Sequence, residues 1–328
     1  MTRQLDPFLQ TTGNGAAFAR TVLDVHGKAG QEWLNGLPAL LIDYAQRWSL
    51  KLLPPFALSY HYVAPAIRAD GSPAVLKAGV PSADRNCEIL ALELCSGNGM
   101  ARVLEADAEQ GVILVERLLP GTPLASLEDD AQATLIAAQV MRHVWRLLPA
   151  HHPFPSVNKW AKGLERLRHT YDGGTGPLPK SLVDLAERLF EELLASTVEP
   201  VLLHGDLHHF NILAAERQPW LAIDPQGVAG EPAYEVGALL RNPFPQLPPP
   251  DELTRIQARR VEQLAEVLGF DTERLFGWGI AQAVLSAWWS IEDHGQGWER
   301  AIAYAQALHQ AQTQGRSLTS AGFPAVAQ

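Results

Sequence analysis

The chain reads as an α+β fold of two lobes, a small β-rich N-lobe and a larger, mainly helical C-lobe. Three observations predict this. Short apolar runs separated by turn signals cluster from about residue 56 to 117. That stretch ends in the Pro/Gly segment Pro120-Gly-Thr-Pro123, and beyond about residue 121 helical periodicity dominates. Two further strand-like runs, Val198–Leu203 and Pro219–Ile223, interrupt the helices. The expected boundaries are 1–117 for N-terminal helices plus the small lobe, 118–316 for the helical lobe, and 317–328 for a disordered tail.

Taken in order, residues 1–15 are polar around Gly13-Asn-Gly15 and read as a frayed start. Residues 16–50 read as two helices anchored by Trp33, Leu37, Leu40, Leu41 and Trp48. Arg68-Ala-Asp-Gly71 is a turn leading into the strand Ser72-Pro-Ala-Val-Leu-Lys77, and Asp84–Leu94 reads as a helix carrying Glu88 early and Glu93 later. Gly111–Glu116 is a strand running into the Pro/Gly segment. Asp172–Pro179 is a glycine-rich turn between helices; no Lys-Ser/Thr follows it and no strand leads in, so it is not a phosphate loop. Asn242–Pro250 is a loop before a helix over 251–268, whose Arg255, Arg259, Arg260 and Glu262 read as a solvated face.

Composition narrows the classes. A chain of 328 residues at 47% hydrophobic can bury two cores. It has no run of about 18 apolar residues, and Met1–Asp6 lacks a signal-peptide core, so a cytoplasmic protein without membrane contact is expected. The net charge of −10 and pI near 5.6 disfavour nucleic acid as a partner and suit a cationic small molecule. Cys87 and Cys95 fall eight residues apart on one helix, about 12 Å at helical rise, too far for a disulfide that needs Cα atoms within about 7 Å. Both read as buried thiols.

The chemistry concentrates in His204-Gly-Asp-Leu-His-His-Phe-Asn211 and Ile223-Asp224-Pro225. Asp206 and Asn211 sit on the loop leaving one strand, and Asp224 sits where the next strand ends. An acid, an amide and a second acid at this spacing are what phosphoryl transfer uses, because that reaction needs positioning and charge neutralisation more than covalent chemistry. Asp206 would orient an acceptor hydroxyl and take its proton. Asn211 and Asp224 offer hard oxygen ligands suited to Mg²⁺. Lys77 is the expected partner of nucleotide phosphates, with Glu88 holding it; Glu93, five positions on, faces elsewhere. His204, His208 and His209 share a loop already committed to Asp206 and Asn211, which argues against zinc; His204 is expected to brace the loop, and His209 to approach the phosphate or substrate.

These elements, with Tyr62-Val-Ala-Pro65, Glu116-Arg-Leu-Leu-Pro-Gly-Thr-Pro123 and Pro232-Ala-Tyr-Glu-Val-Gly237, resemble the aminoglycoside phosphotransferase family, which has a protein-kinase-like fold. Within it the chain is similar to the streptomycin 6-phosphotransferase and hydroxyurea phosphotransferase branch, from about residue 30 to about 300. The resemblance implies an ATP- and Mg²⁺-dependent phosphotransferase acting on an alcohol group, with a nucleotide-binding small lobe and a catalytic and substrate-binding helical lobe. It makes the segment at Glu116 and Leu118 the hinge, whose backbone groups would bond the nucleotide base. Two departures are visible. No glycine-rich phosphate loop precedes Lys77, the corresponding turn falling near Leu58–Val63. Asp224-Pro225 stands in place of Asp-Phe-Gly, which argues against a protein kinase.

Trp288-Trp289-Ser-Ile-Glu292-Asp293 adds aromatics beside carboxylates. Trp288, Glu292 and Asp293 are a candidate floor for a sugar carrying guanidinium or ammonium groups. The expected activity is phosphorylation of a streptomycin-like antibiotic. The alternatives are hydroxyurea, a choline-, homoserine- or glycated-amine-type metabolite, or a non-catalytic nucleotide-binding protein.

Overall fold

The computed structural model describes residues 14–321 except 198 and 245, so the expected frayed start lies outside the described residues apart from its end. It divides into two compact units, Met1–Gly121 with Ala214–Gln226, and Thr122–Leu213 with Gly227–Gln328.

The first unit is built on a five-stranded antiparallel sheet in the order β1-β2-β3-β5-β4. Its strands are β1 (Lys51–Leu52), β2 (Tyr62–Ile67), β3 (Pro73–Ala78), β4 (Val103–Asp107) and β5 (Val112–Glu116). Side chains alternate across a strand, so β3 turns Ala74, Leu76 and Ala78 one way and Lys77 the other. The face bearing Leu76 joins a core with Phe18, Leu37, Leu41 and Tyr44. These four come from α1 (Gly15–Arg47), which takes non-helical angles at Gly27 and so is two helical segments joined at a kink, as the sequence suggests. Helix α2 (Ala83–Cys95) begins at Ser82, whose hydroxyl accepts the N–H of Arg85. It buries Arg85, Cys87, Glu88 and Cys95, and the two cysteines form no disulfide.

The strand β6 (Pro120–Pro123) runs into the second unit, which is mainly helical. Its helices are α3 (Asp130–Val144), α4 (Val157–Ala161), α5 (Gly163–Thr170), α6 (Lys180–Ala195), α7 (Val236–Leu240), α8 (Pro250–Leu268), α9 (Thr272–His294) and α10 (Trp298–Ala321). Helix α9 packs against α6, α7 and α10 and buries Leu275, Trp278, Ile280, Val284, Leu285 and Trp288. A helix apolar on nearly all sides belongs in a core, and this one organises its unit. Strand β7 (Val201–Leu203) pairs antiparallel with β10 (Val228–Gly230), and the hairpin strands β8 (Ile212–Ala215) and β9 (Trp220–Ala222) come between them in the chain. Among the described residues no helix is long and apolar enough to cross a membrane.

Two sequence expectations need correction. Arg260 is fully buried (0% exposed) rather than on a solvated face: its guanidinium pairs with Asp130 and donates to the Asn242 carbonyl at 2.6 Å. A buried guanidinium is tolerable only with its charge and N–H groups met, and Asp130 and Asn242 meet them. Helix α10 continues through residues 317–321, part of the expected tail; the rest of that tail lies outside the described residues.

Candidate functional site

In the first unit the polar face of β3 carries a buried charge cluster. Lys77 Nζ lies 2.6 Å from Glu88 Oε1 and 3.0 Å from Asp224 Oδ1. Lys77 and Glu88 are 5% and 6% exposed, a degree of burial that two charges bear only when paired. Glu88 Oε2 takes a second cation, Arg85, whose Nε and Nη2 donate to the carbonyls of Gly111 and Lys77, each at 3.1 Å. Burial pushes the Glu88 carboxyl toward its neutral form, but Lys77 and Arg85 outweigh this and hold it well below the usual carboxylate range. His61 stays neutral beside them: burial, then the charge of Lys77, lowers it to about 3.

Asp224 differs from its partners in being exposed. It has φ 57°, a left-handed conformation that side chains other than glycine seldom adopt. Its position is fixed from β9, where Ala222 exchanges bonds of 2.9 Å with the 99–101 segment, donating to the Gly99 carbonyl and accepting from the Ala101 N–H. Arg217, in the β8–β9 turn, adds bonds to the carbonyls of Gly97 at 2.7 Å and Met100 at 3.1 Å, and to the Glu116 carboxylate. Glu116 therefore has its side chain committed, and its N–H donates to the Arg102 carbonyl at 2.9 Å. Leu118 is buried two residues on.

In the second unit Asp206 leaves β7 on a loop held from several directions. Its N–H donates to Nδ1 of the buried His204 at 3.2 Å, the bracing role expected of that histidine. Its Oδ1 accepts from Arg241 Nη2 at 2.8 Å, and Oδ2 lies 3.5 Å from His208 Nε2. Burial favours the neutral acid here, but His208 and Arg241 overcome it and hold the Asp206 carboxyl well below the ordinary range. Asn211 Nδ2 donates to the Asp206 carbonyl at 3.0 Å, which orients the amide and turns its oxygen into the atom a cation would use. Glu235, wholly buried, accepts the N–H groups of His204 at 2.8 Å and Gly205 at 2.9 Å. Burial pushes its carboxyl up to about 7, against the pull of those two donors.

The structure thus groups Lys77, Glu88 and Asp224 in one unit, and Asp206 with Asn211 in the other. The structure adds Arg85, Arg217 and Arg241 to these residues. The i, i+3 spacing of Arg85 and Glu88 on one helix was a usable signal. Arg241 lies 35 residues from Asp206 and carried none.

Three substrate candidates change. Trp288 is 3% exposed and packs edge-on against Tyr171 with ring centres 6.4 Å apart, so it is core and offers no open face to a sugar. Glu292 is tied to Arg166 by two bonds of 2.7 and 2.8 Å, which neutralise it. His209 is 1% exposed and held neutral, lowered to about 3 by burial and then by Arg260, so it does not reach out to a substrate. Asp293 is exposed.

Taken singly, the exposed Asp224 carboxylate in the first unit and the oriented Asn211 amide in the second each present a hard oxygen of the kind Mg²⁺ takes.

Comparison with known proteins gives the family and the fold. A family model described as aminoglycoside/hydroxyurea antibiotic resistance kinase matches residues 54–294. The chain is 33% identical over 305 residues to a streptomycin 6-kinase of Streptomyces glaucescens, covering 89% of this chain and 94% of that protein. It is 34% identical over 297 residues to a hydroxyurea phosphotransferase of Kitasatospora aureofaciens, covering 86% and 82%. Among solved structures, a choline kinase from Streptococcus pneumoniae shares the fold at TM-score 0.60 and 14% identity, covering 85% of this chain and 99% of that one. An aminoglycoside phosphotransferase in ternary complex with ADP and hygromycin B shares it at TM-score 0.57 and 15% identity, covering 85% and 99%.

Proposed function

Because the chain belongs to the aminoglycoside/hydroxyurea antibiotic resistance kinase family, we propose that it transfers the γ-phosphate of ATP to a hydroxyl of a cationic, streptomycin-like aminoglycoside. The observation that carries this reading is the paired Lys77–Glu88 charge beside the Asp224 carboxylate, a grip suited to nucleotide phosphates.

In this mechanism Asp206 accepts a hydrogen bond from the acceptor hydroxyl, aims its oxygen at the γ-phosphorus and takes its proton as the new P–O bond forms and ADP leaves. A carboxylate held this acidic is a weak base, so its main contribution is orientation, with proton transfer late. Lys77, steadied by Glu88, neutralises the α- and β-phosphates. Asn211 and Asp224 would hold Mg²⁺, which neutralises charge on the phosphates when bound. Backbone groups of Glu116 and Leu118 would receive the base. Asp293, exposed at the end of α9, is the acid we carry forward for a cationic substrate. Phosphorylation would add negative charge to a cationic drug and spoil its fit to an anionic target.

The test is ADP release from Mg-ATP with streptomycin, other aminoglycosides, hydroxyurea, choline and fructosamines, with products weighed. Streptomycin turnover above the ATPase background, with a product one phosphate heavier, is the expected result. Turnover of hydroxyurea alone would select the second reading, which the 34% identical relative favours. Turnover of only a metabolic alcohol or amine would discard the resistance role. Binding of Mg-ATP with no acceptor in the panel would revive the non-catalytic reading.

A further inference from the structure

Arg85 engages three acceptors at once, and each belongs to the surroundings of Lys77. Its Nη1 pairs with Glu88, its Nη2 donates to the carbonyl of Lys77 itself, and its Nε donates to the carbonyl of Gly111, the last two at 3.1 Å. All three guanidinium nitrogens are thus used, and the residue is 2% exposed. The Gly111 carbonyl also accepts the N–H of Gly79 at 3.0 Å, so the end of β3, the start of β5 and helix α2 meet at one oxygen. One planar fork ties the helix that carries Glu88 to the strand that carries Lys77.

The charges point the same way. Glu88 gives one oxygen to Lys77 and the other to Arg85, so a single carboxylate is divided between two buried cations. With Asp224 also on Lys77 the four charges balance, two cations against two carboxylates, so without Arg85 the cluster would be net negative where a phosphate must bind. Arginine keeps its proton when buried, and a lysine in its place has no fork with which to reach all three acceptors.

We infer that Arg85 is a positioning residue for the proposed reaction: it keeps the Lys77–Glu88 pair assembled before nucleotide arrives and offsets the negative charge that Glu88 and Asp224 place around Lys77. The inference rests on the kinase reading above.

The experiment uses the full chain as wild type, Arg85→Lys, Arg85→Met, Glu88→Gln and the Arg85→Lys/Glu88→Gln double variant. Thermal unfolding is recorded for each, and kinetics are run at a temperature where all the variants compared are folded. ATP and acceptor are varied separately, so that a nucleotide effect separates from a general loss of folded enzyme. Arg85→Lys should raise the KM for ATP on the order of tenfold and leave the acceptor KM within about twofold. In the double variant the rise should stay within about twofold of that in Glu88→Gln alone, because both changes disturb the one Lys77–Glu88 pair. A folded Arg85→Lys with the wild-type KM for ATP would overturn the inference, and so would effects that multiply in the double variant. Should Arg85→Met fail to fold, the lysine variant carries the test. Wild-type enzyme that neither binds nor turns over Mg-ATP would remove the kinase reading itself. Normal wild-type turnover with unaffected Arg85 variants would remove this inference alone.

Discussion

Around Lys77 the helix partners lie close in sequence, Glu88 eleven residues on and Arg85 eight, and they saturate one another's charges in a dry interior. Around Asp206 the supports come from far down the chain, Glu235 at 31 residues from His204 and Arg241 at 35 from Asp206, and they act largely on the backbone of a loop. The first cluster is a lattice of ion pairs, which the structure can hold only complete. The second is a loop whose shape is imposed from outside, leaving one carboxylate half-buried and aimed. The contrast suits the roles proposed for them, a rigid grip for a common nucleotide and an oriented group for a variable acceptor.

The contrast is tested most severely at Asp206. Asp206→Ala should lower kcat by roughly 10³-fold, within the range for a lost general base, with nucleotide binding unchanged. A large loss of nucleotide affinity would show that the two clusters do not divide the work as described.

Next comes Arg260, buried and bonded to Asp130 and the Asn242 carbonyl rather than to either cluster. Arg260→Met leaves Asp130 with only the more exposed Arg259 and should cost about 3 kcal/mol of stability, read by denaturant unfolding, with KM values unchanged in the folded fraction. A changed KM for ATP or acceptor would make this ion pair part of the site.

A smaller effect should follow pH at Glu235. Its folded carboxyl titrates at about 7, above the free value of 4.5, so between those values the unfolded chain gives up the proton while the folded protein keeps it. Stability from this group therefore falls as pH rises from about 4.5 to about 7 and is level above that window. Glu235→Gln should be less stable than wild type throughout, since an amide cannot accept both loop N–H groups. The gap in Tm should narrow as pH rises from 5 to 7. A gap that widens would place the Glu235 carboxyl below its free value.

The smallest effect is expected at the end of α9. Asp293→Asn with Glu292→Gln should raise the KM for a cationic acceptor about threefold, mostly through Asp293, at the modest size of an exposed charge contact, and leave the KM for ATP alone. No difference between the two KM values would assign both acids to the helix surface.

Much of this was legible in the sequence because period and punctuation are local. The strand ending at Lys77, the helix of Glu88 and the strands flanking Asp206 and Asp224 fall where apolar runs and turn residues put them. Residues 16–50 read as two helices, and the structure puts the break between them at Gly27. The misreadings share one cause, partners distant in sequence. Arg260 looked solvated because arginines usually are, and its partner Asp130 lies 130 residues earlier. Trp288 looked available beside Glu292, but Tyr171 and the packing of α9 enclose it. Arg241 had no neighbour that hinted at Asp206.

Helix α2 also holds a built-in clock. Cys87 and Cys95, 3% and 1% exposed, sit on the element that carries Glu88 and Arg85. A thiol reagent in excess can reach them only when that helix comes away from the sheet, so the labelling rate divided by the rate for a free thiol gives the fraction of time it stands open. Compared with and without nucleotide, that fraction measures in solution how much of the grip exists before the ligand arrives.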